Sequence, residues 1–184
     1  MKPTEELSHE HQAILEMIEV LGQMADRLEA GRAVDAIDLE QAVEFIRIFA
    51  DKCHHAKEEG HLFPEMEKAG IPRERGPIGV MLAEHEEGRK HVTAMSGALA
   101  GIRKGDRKAA QTFADAARGY GELLSQHILK DDRVLYPMAD ARLSPGQQES
   151  LEACFADIET NIIGEGKHEE FRRLLERLEK AYLA

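Results

Sequence analysis

Apolar residues recur every three or four positions through most of the chain, and the strict alternation of a half-buried strand occurs nowhere. The first stripe, Leu7, His11, Ile14, Ile18, Leu21, Ala25 and Leu28, predicts a helix that starts near Thr4, as N-cap after Pro3, and stops at Gly31. A second helix is predicted from about Asp38 to Lys68, with Leu39, Val43, Ile46, Ala50, His54 and Glu58 inward, and Glu59 and His61 outward. Pro64 should kink or thin its last turns. The third runs from Gly76-Pro77 to Gly105 on Ile78, Met81, His85, Gly88, Val92, Met95, Leu99 and Ile102, leaving His91 off the stripe and in solvent. The fourth, from about Arg107 to Asp140, turns Phe113, Ala116, Tyr120, Leu124, His127, Asp131, Val134 and Met138 inward. After Ser144-Pro145 comes a fifth segment to about Ile163, then the turn Gly164-Glu165-Gly166 and a short helix with Phe171, Leu174, Leu178 and Tyr182 on its apolar face. The expected fold is all-α: a four-helix bundle over residues 1–143 with a helical C-terminal appendix, residues 144–184, packed on it.

Four of these stripes place a histidine where an aliphatic belongs: His11, His54, His85 and His127. Two of the four lie in a repeated stretch, His54 to Pro64 and His127 to Pro137, both reading His-x-x-Lys-acid-acid-x-x-Leu-aromatic-Pro. Residues four apart on a helix share a face, so each copy projects an imidazole and a carboxylate together, His54 with Glu58 and His127 with Asp131. His55 lies about 100° round from His54 and can border the same space. Burying one unpaired polar group costs several kcal/mol, so a core holding this many calls for a shared partner, and a metal is the economical one. Two metals bridged by both carboxylates use this donor set better than one. Imidazole and carboxylate without thiolate suit iron, manganese or zinc, and the donor count exceeds a closed tetrahedral zinc site. Gly88, one turn after His85, either lets helices pack closely or leaves room beside the metal for a small molecule. Tyr120, two turns before His127, is either a buried aromatic or a hydrogen-bonding group near the metal.

Composition narrows the partners. With 24 Lys+Arg against 35 Asp+Glu, the net charge of -11 repels nucleic acid and anionic membrane surfaces. No apolar leader or span is present, and Cys53 and Cys154 form no C-x-x-C, so the expectation is a soluble, cytoplasmic, one-domain protein in a reducing compartment. Cys53, just before His54, reads as a small buried hydrophobe, with a redox role as the alternative. A homodimer is left open.

Ser8-His9-Glu10-His11-Gln12-Ala13-Ile14, the two His-x-x-x-acid elements ending in Leu62-Phe63-Pro64 and Leu135-Tyr136-Pro137, and Gly76-Pro77-Ile78 leading to Glu84-His85-Glu86 resemble the hemerythrin family, in its bacterial HHE cation-binding branch, over roughly residues 4–140. The resemblance implies an up-down-up-down bundle with two iron ions, a non-haem diiron centre bridged by carboxylates and oxide. Such a centre binds dioxygen or another small oxidant for carriage, storage or sensing. It also implies alternatives: a diiron enzyme such as a peroxidase, nitric oxide reductase or iron-centre repair protein, and iron storage or a structural metal. Oxygen carriers place two histidines one turn apart on the third helix, where this chain has only His85, flanked by Met81 and Arg89. An iron-sensing branch of the family uses instead the residue after the second helix's histidine, here His55. By that correspondence one iron takes His55, His85 and His127, the other His11 and His54, and Glu58 and Asp131 bridge. Carrier spacing would choose Asp132 over Asp131; the internal repeat chooses Asp131. His168 or Glu169, folding over the bundle's open end, is the reserve donor should His55 not serve.

Overall fold

A computed structural model describes residues 1–183. It is helical throughout, and no strand occurs among the described residues. α1 spans Pro3–Glu29. The expected N-cap at Thr4 falls instead at Lys2, because Pro3, with no N–H to satisfy, occupies the first helical position. Thr4 is freed to donate its hydroxyl to Asp140 Oδ1 at 2.7 Å. The second long helix starts as α2, Ala36–Phe45, where the Asp35 side chain accepts from the Ile37 and Asp38 amides, and ends as α3, Phe63–Lys68. α4 spans Pro77–Arg103; Gly76 caps it because a Cβ there would lie 2.1 Å from the Pro72 carbonyl oxygen. α5, Arg107–Lys130, and α6, Tyr136–Arg142, form the fourth helix. Short turns join these four, so chain neighbours run antiparallel. α7, Pro145–Asp157, opens on a Ser144–Gln147 capping box, and α8 spans Lys167–Tyr182.

Between α2 and α3, and between α5 and α6, the helix widens into π-type turns, over Ile46–His55, Glu58–Leu62 and Asp131–Leu135. The last two occupy matching places in the repeat, and each returns the aromatic residue's N–H to the carbonyl five residues back, Phe63 to Glu58 and Tyr136 to Asp131. Proline follows at once in both copies, and a widened turn accommodates a ring that would clash in an ordinary one. The extra residue rotates everything beyond it. Val134, expected inward, is consequently 50% exposed, while Leu135 and Tyr136 enter the interior. In α8, Leu175 is buried in place of the expected Leu174, which is half-buried.

Two apolar clusters fill the bundle. One holds Ile14, Leu21, Leu39, Phe45, Met95 and Phe113, joined by Phe171, Leu175, Leu178 and Tyr182 of α8. The other, at the opposite end, holds Leu7, Leu62, Phe63, Ile78 and Leu135, joined by Leu151 and Phe155 of α7. A layer of buried histidines and carboxylates lies among these apolar residues, shielded from water. Among the described residues no helix is long and apolar enough to cross a membrane.

Candidate metal centre

His11, His54, His55, Glu58, His85, His127 and Asp131 are all at most 3% exposed. The wide turn over Ile46–His55 lets consecutive residues, His54 and His55, both reach the interior. His11 Nε2 lies 3.0 Å from His54 Nε2, and His85 Nε2 lies 3.0 Å from His127 Nε2. The His55 ring stacks on His85 with centroids 3.8 Å apart. His55, Glu58, His85 and His127 each offer one ligand atom within a sphere of mutual separation 4.8 Å. Glu58 Oε2 is 3.2 Å from His85 Nε2, and Asp131 Oδ2 is 3.0 Å from His127 Nε2. Even so, His55 Nε2, Glu58 Oε2 and both Asp131 oxygens are buried with no hydrogen bond.

The outward nitrogens explain this. Each of the five imidazoles meets a carboxylate through Nδ1: His11 donates to Asp132 at 3.0 Å, His54 to Glu10 at 2.8 Å, His55 to Asp51 at 3.3 Å, His85 to Glu59 at 2.7 Å and His127 to Glu84 at 2.8 Å. A neutral imidazole carries one proton, so five Nδ1–H groups leave five Nε2 lone pairs pointing inward. Two lone pairs at 3.0 Å repel unless a proton or a cation stands between them. Orphaned carboxylate oxygens facing imidazole lone pairs are what a metal would satisfy, and the donor set fits one.

The carboxylates are themselves held. Buried Lys57 donates to Glu6, Glu10 and Glu159 at 2.7, 2.5 and 2.6 Å, and Lys130 donates to Glu84. Arg89 donates to Asp51 at 2.9 Å and to Glu59 at 2.6 Å. Without metal, the layer balances charge with protons. Burial drives His54 well below its ordinary value and His55 down to about 3, while for His85 the carboxylates of Glu58 and Glu59 overcome burial and lift it to about 9. Burial and the nearby Glu58 charge raise Asp131 well above the carboxylate range. Burial opposes ionisation of Asp51, but hydrogen bonds from His55 and Arg89 prevail and hold it at about 2.

Several expectations need correcting. Glu59 does not simply face outward: it is half-buried, as Asp132 is, and the two orient His85 and His11 from behind. Asp131, fully buried, is the carboxylate that enters the cluster, as the repeat indicates. His168 reaches Cys53 rather than the cluster, and Glu169 pairs with Arg172 and Arg173 on the surface, so neither is placed to replace His55. Cys53 is fully buried, as a small hydrophobe would be, and burial lifts its thiol to about 12. Tyr120 makes no hydrogen bond to the cluster among the described residues. It lines, with Asp51, His55, Gly88 and Arg89, a surface groove of about 550 Å³. Gly88 serves close packing as well, since a Cβ there would meet Leu124 Cδ2 at 3.3 Å. Half-buried His91 packs its ring over Gly119 instead of standing in solvent. Sequence reasoning missed Glu10, Asp51, Glu59 and Glu84 behind the imidazoles, weighed Asp132 only as a ligand, and missed Tyr136, whose hydroxyl donates to Glu58 Oε1 at 2.8 Å and lies 3.4 Å from His11 Nε2.

A family model of the hemerythrin HHE cation-binding domain matches residues 2–139. The chain is 25% identical over 161 residues to uncharacterized proteins of Mycobacterium bovis and of two strains of Mycobacterium tuberculosis, covering 88% of this chain and 62% of theirs. It therefore spans less than two thirds of the length of these curated relatives.

Proposed function

The chain belongs to the hemerythrin HHE cation-binding family, and we propose that its buried cluster holds two irons as a non-haem diiron centre that takes up dioxygen or a related small oxidant reversibly. The cluster is a metal-binding site of histidine and carboxylate donors. In this reading His55, His85 and His127 would hold one iron and His11 and His54 the other, with Glu58 and Asp131 as the carboxylate donors available to both. The observation that carries it is that His55 Nε2, Glu58 Oε2 and both Asp131 oxygens are buried without a hydrogen bond, among the inward Nε2 atoms of the other histidines. The two irons, when bound, supply the exchangeable electrons and the open coordination position that a small oxidant needs.

The chain's own residues do the rest. The five outer carboxylates fix the imidazole tautomers, and two apolar clusters keep bulk water away from the centre. Tyr136 keeps its proton, because burial and the neighbouring Glu58 charge raise it well above its ordinary value, and it presents that proton to Glu58. The groove beside His55 is large enough to admit a small molecule.

Metal content and an absorption spectrum of aerobically purified protein test the metal; two irons per chain with near-ultraviolet charge-transfer bands are expected, and full occupancy by another metal would refute the reading. Stopped-flow mixing of the diferrous protein with dioxygen tests the function. A stable band that disappears when dioxygen is removed is expected, whereas immediate turnover would move the assignment to an oxidant-consuming enzyme.

A further inference from the structure

A second group of ligand-type side chains lies outside the diiron cluster, where α8 and the turn before it meet the bundle. Cys53, fully buried, has its sulfur 3.6 Å from His168 Nε2, and that nitrogen is 3.8 Å from Glu159 Oε1. With Glu10, these residues offer ligand atoms that all lie within 4.8 Å of one another. They come from four separate elements: α1, the wide turn carrying His54 and His55, the wide turn Ile158–Gly164, and α8.

The local charge is unbalanced. Three carboxylates, Glu6, Glu10 and Glu159, surround one ammonium, Lys57. Lys57 spends one N–H on each and satisfies only one oxygen of each. Glu10 has both oxygens committed, one to Lys57 and one to His54 Nδ1, so it is a neighbour and not a ligand. Glu159 has one oxygen engaged, Oε1 by Lys57, and that oxygen keeps a second lone pair, so Glu159, Cys53 and His168 retain donor capacity and face one another.

We propose that Cys53, His168 and Glu159 form a mononuclear site for a thiophilic divalent cation, zinc being the best match. One thiolate, one imidazole and one carboxylate is a zinc donor set, whereas magnesium and calcium select oxygen alone. Tetrahedral bonds of about 2.3 Å to sulfur and 2.0 Å to nitrogen set those atoms about 3.5 Å apart, close to the 3.6 Å found. His168 and Glu159 are 37% and 36% exposed, which leaves a solvent path for entry and for a fourth ligand. On binding, the cation takes the sulfur as thiolate and the thiol proton leaves to solvent. The site staples the C-terminal helices to the bundle, and Lys57 and Glu10 connect it to His54.

Cobalt(II) is the probe, added to protein whose diiron centre is already filled. One extra equivalent should bind and produce a thiolate-to-cobalt charge-transfer band, which a centre of imidazoles and carboxylates cannot give. His168→Ala, a change at a partly exposed position that should keep fold and iron content, is expected to lose the band and weaken cobalt binding at least tenfold. Cys53→Ser should lose it too, and Cys154→Ser should keep it. Absence of the band in the wild type, its survival in His168→Ala, or its loss in Cys154→Ser would each overturn the proposal.

Discussion

Asp132→Ala tests whether the second acid of each repeat copy orients a ligand without being one. The variant removes the acceptor for His11 Nδ1 at 3.0 Å, and the same carboxylate oxygen also accepts from Ser8 Oγ at 2.7 Å. A hydrogen bond to a charged group is worth about 1.5–3 kcal/mol, and outer partners of metal-bound histidines typically contribute 10–100-fold in affinity. The Asp132 side chain is 31% exposed, so water can take over part of its role and the lower end applies. The expected loss is about tenfold, or roughly 1.4 kcal/mol, in the affinity for the metal that His11 would hold. Anaerobic competition for ferrous ion against a chelator measures it. Ser8→Ala, which leaves the imidazole's acceptor in place, should bind almost normally, while Asp131→Ala should lose at least one metal per chain outright. Unchanged affinity in Asp132→Ala would refute the orienting role. Complete loss of a metal in Asp132→Ala, with Asp131→Ala fully loaded, would show that carrier spacing and not the repeat selects the ligand.

Chelation should lower the melting temperature, since the emptied layer keeps its buried lone pairs and loses the cations that join them; calorimetry with and without chelator checks it, and equal melting would place the metal elsewhere. His55→Ala should bind fewer than two irons or shift the charge-transfer bands, whereas His61→Ala and His91→Ala should leave metal analysis and spectrum intact. Lys57→Met strands three carboxylates around a fully buried position and should cost about 3–5 kcal/mol, while Lys130→Met, at a 40% exposed side chain paired with Glu84 alone, should cost at most about 1 kcal/mol; urea titrations of the two variants compare them. Tyr182, whose hydroxyl donates to Asp38 at 2.7 Å, is raised by burial and that bond to about 12. Its unfolded value is about 10, so the stability it gives the α8 contact is complete below pH 10 and is lost as pH rises toward 12; a Tyr182→Phe chain should lack that loss in urea melts across the window.

The helices and their inner faces were legible because burial follows the helical period: Leu39, Val43, Ile46, Ala50, His54 and Glu58 were read from spacing, and all are buried. The same rule failed where the period changes. Extrapolating it past Asp131 put Val134 inside, and the available warning was the proline six residues beyond the buried acid in both copies. The outer carboxylates were hidden for a different reason. Glu10, Glu59, Glu84 and Asp132 sit directly beside an inner-face residue in sequence, where the period predicts a half-exposed side chain with no assigned partner. Two signals did exist: a glutamate immediately before the core histidine in both Glu10-His11 and Glu84-His85, and a lysine three residues after His54 and His127. Cys53 and His168 are 115 residues apart and belong to no shared motif, so only the fold brings them together.

The repeat acquires a mechanical meaning once those partners are placed. In each copy the first acid enters the layer, the second crosses to hold a histidine on another helix, Glu59 for His85 and Asp132 for His11, and the lysine holds the glutamate that orients its own copy's histidine, Lys57 through Glu10 to His54 and Lys130 through Glu84 to His127. The helix pairs thus correspond as two halves of one device. The correspondence breaks at two places. His55 matches Ile128, which is buried as an ordinary hydrophobe, and Phe63 matches Tyr136. One half therefore gains a third imidazole, backed by Asp51 and Arg89 and opening on the groove, with Phe63 stacked against His85. The other half gains a phenol that bonds to the shared carboxylate Glu58 and stacks on His11. Two metals held here would occupy inequivalent positions, and substitutions at His55 and Tyr136 should act on different ones.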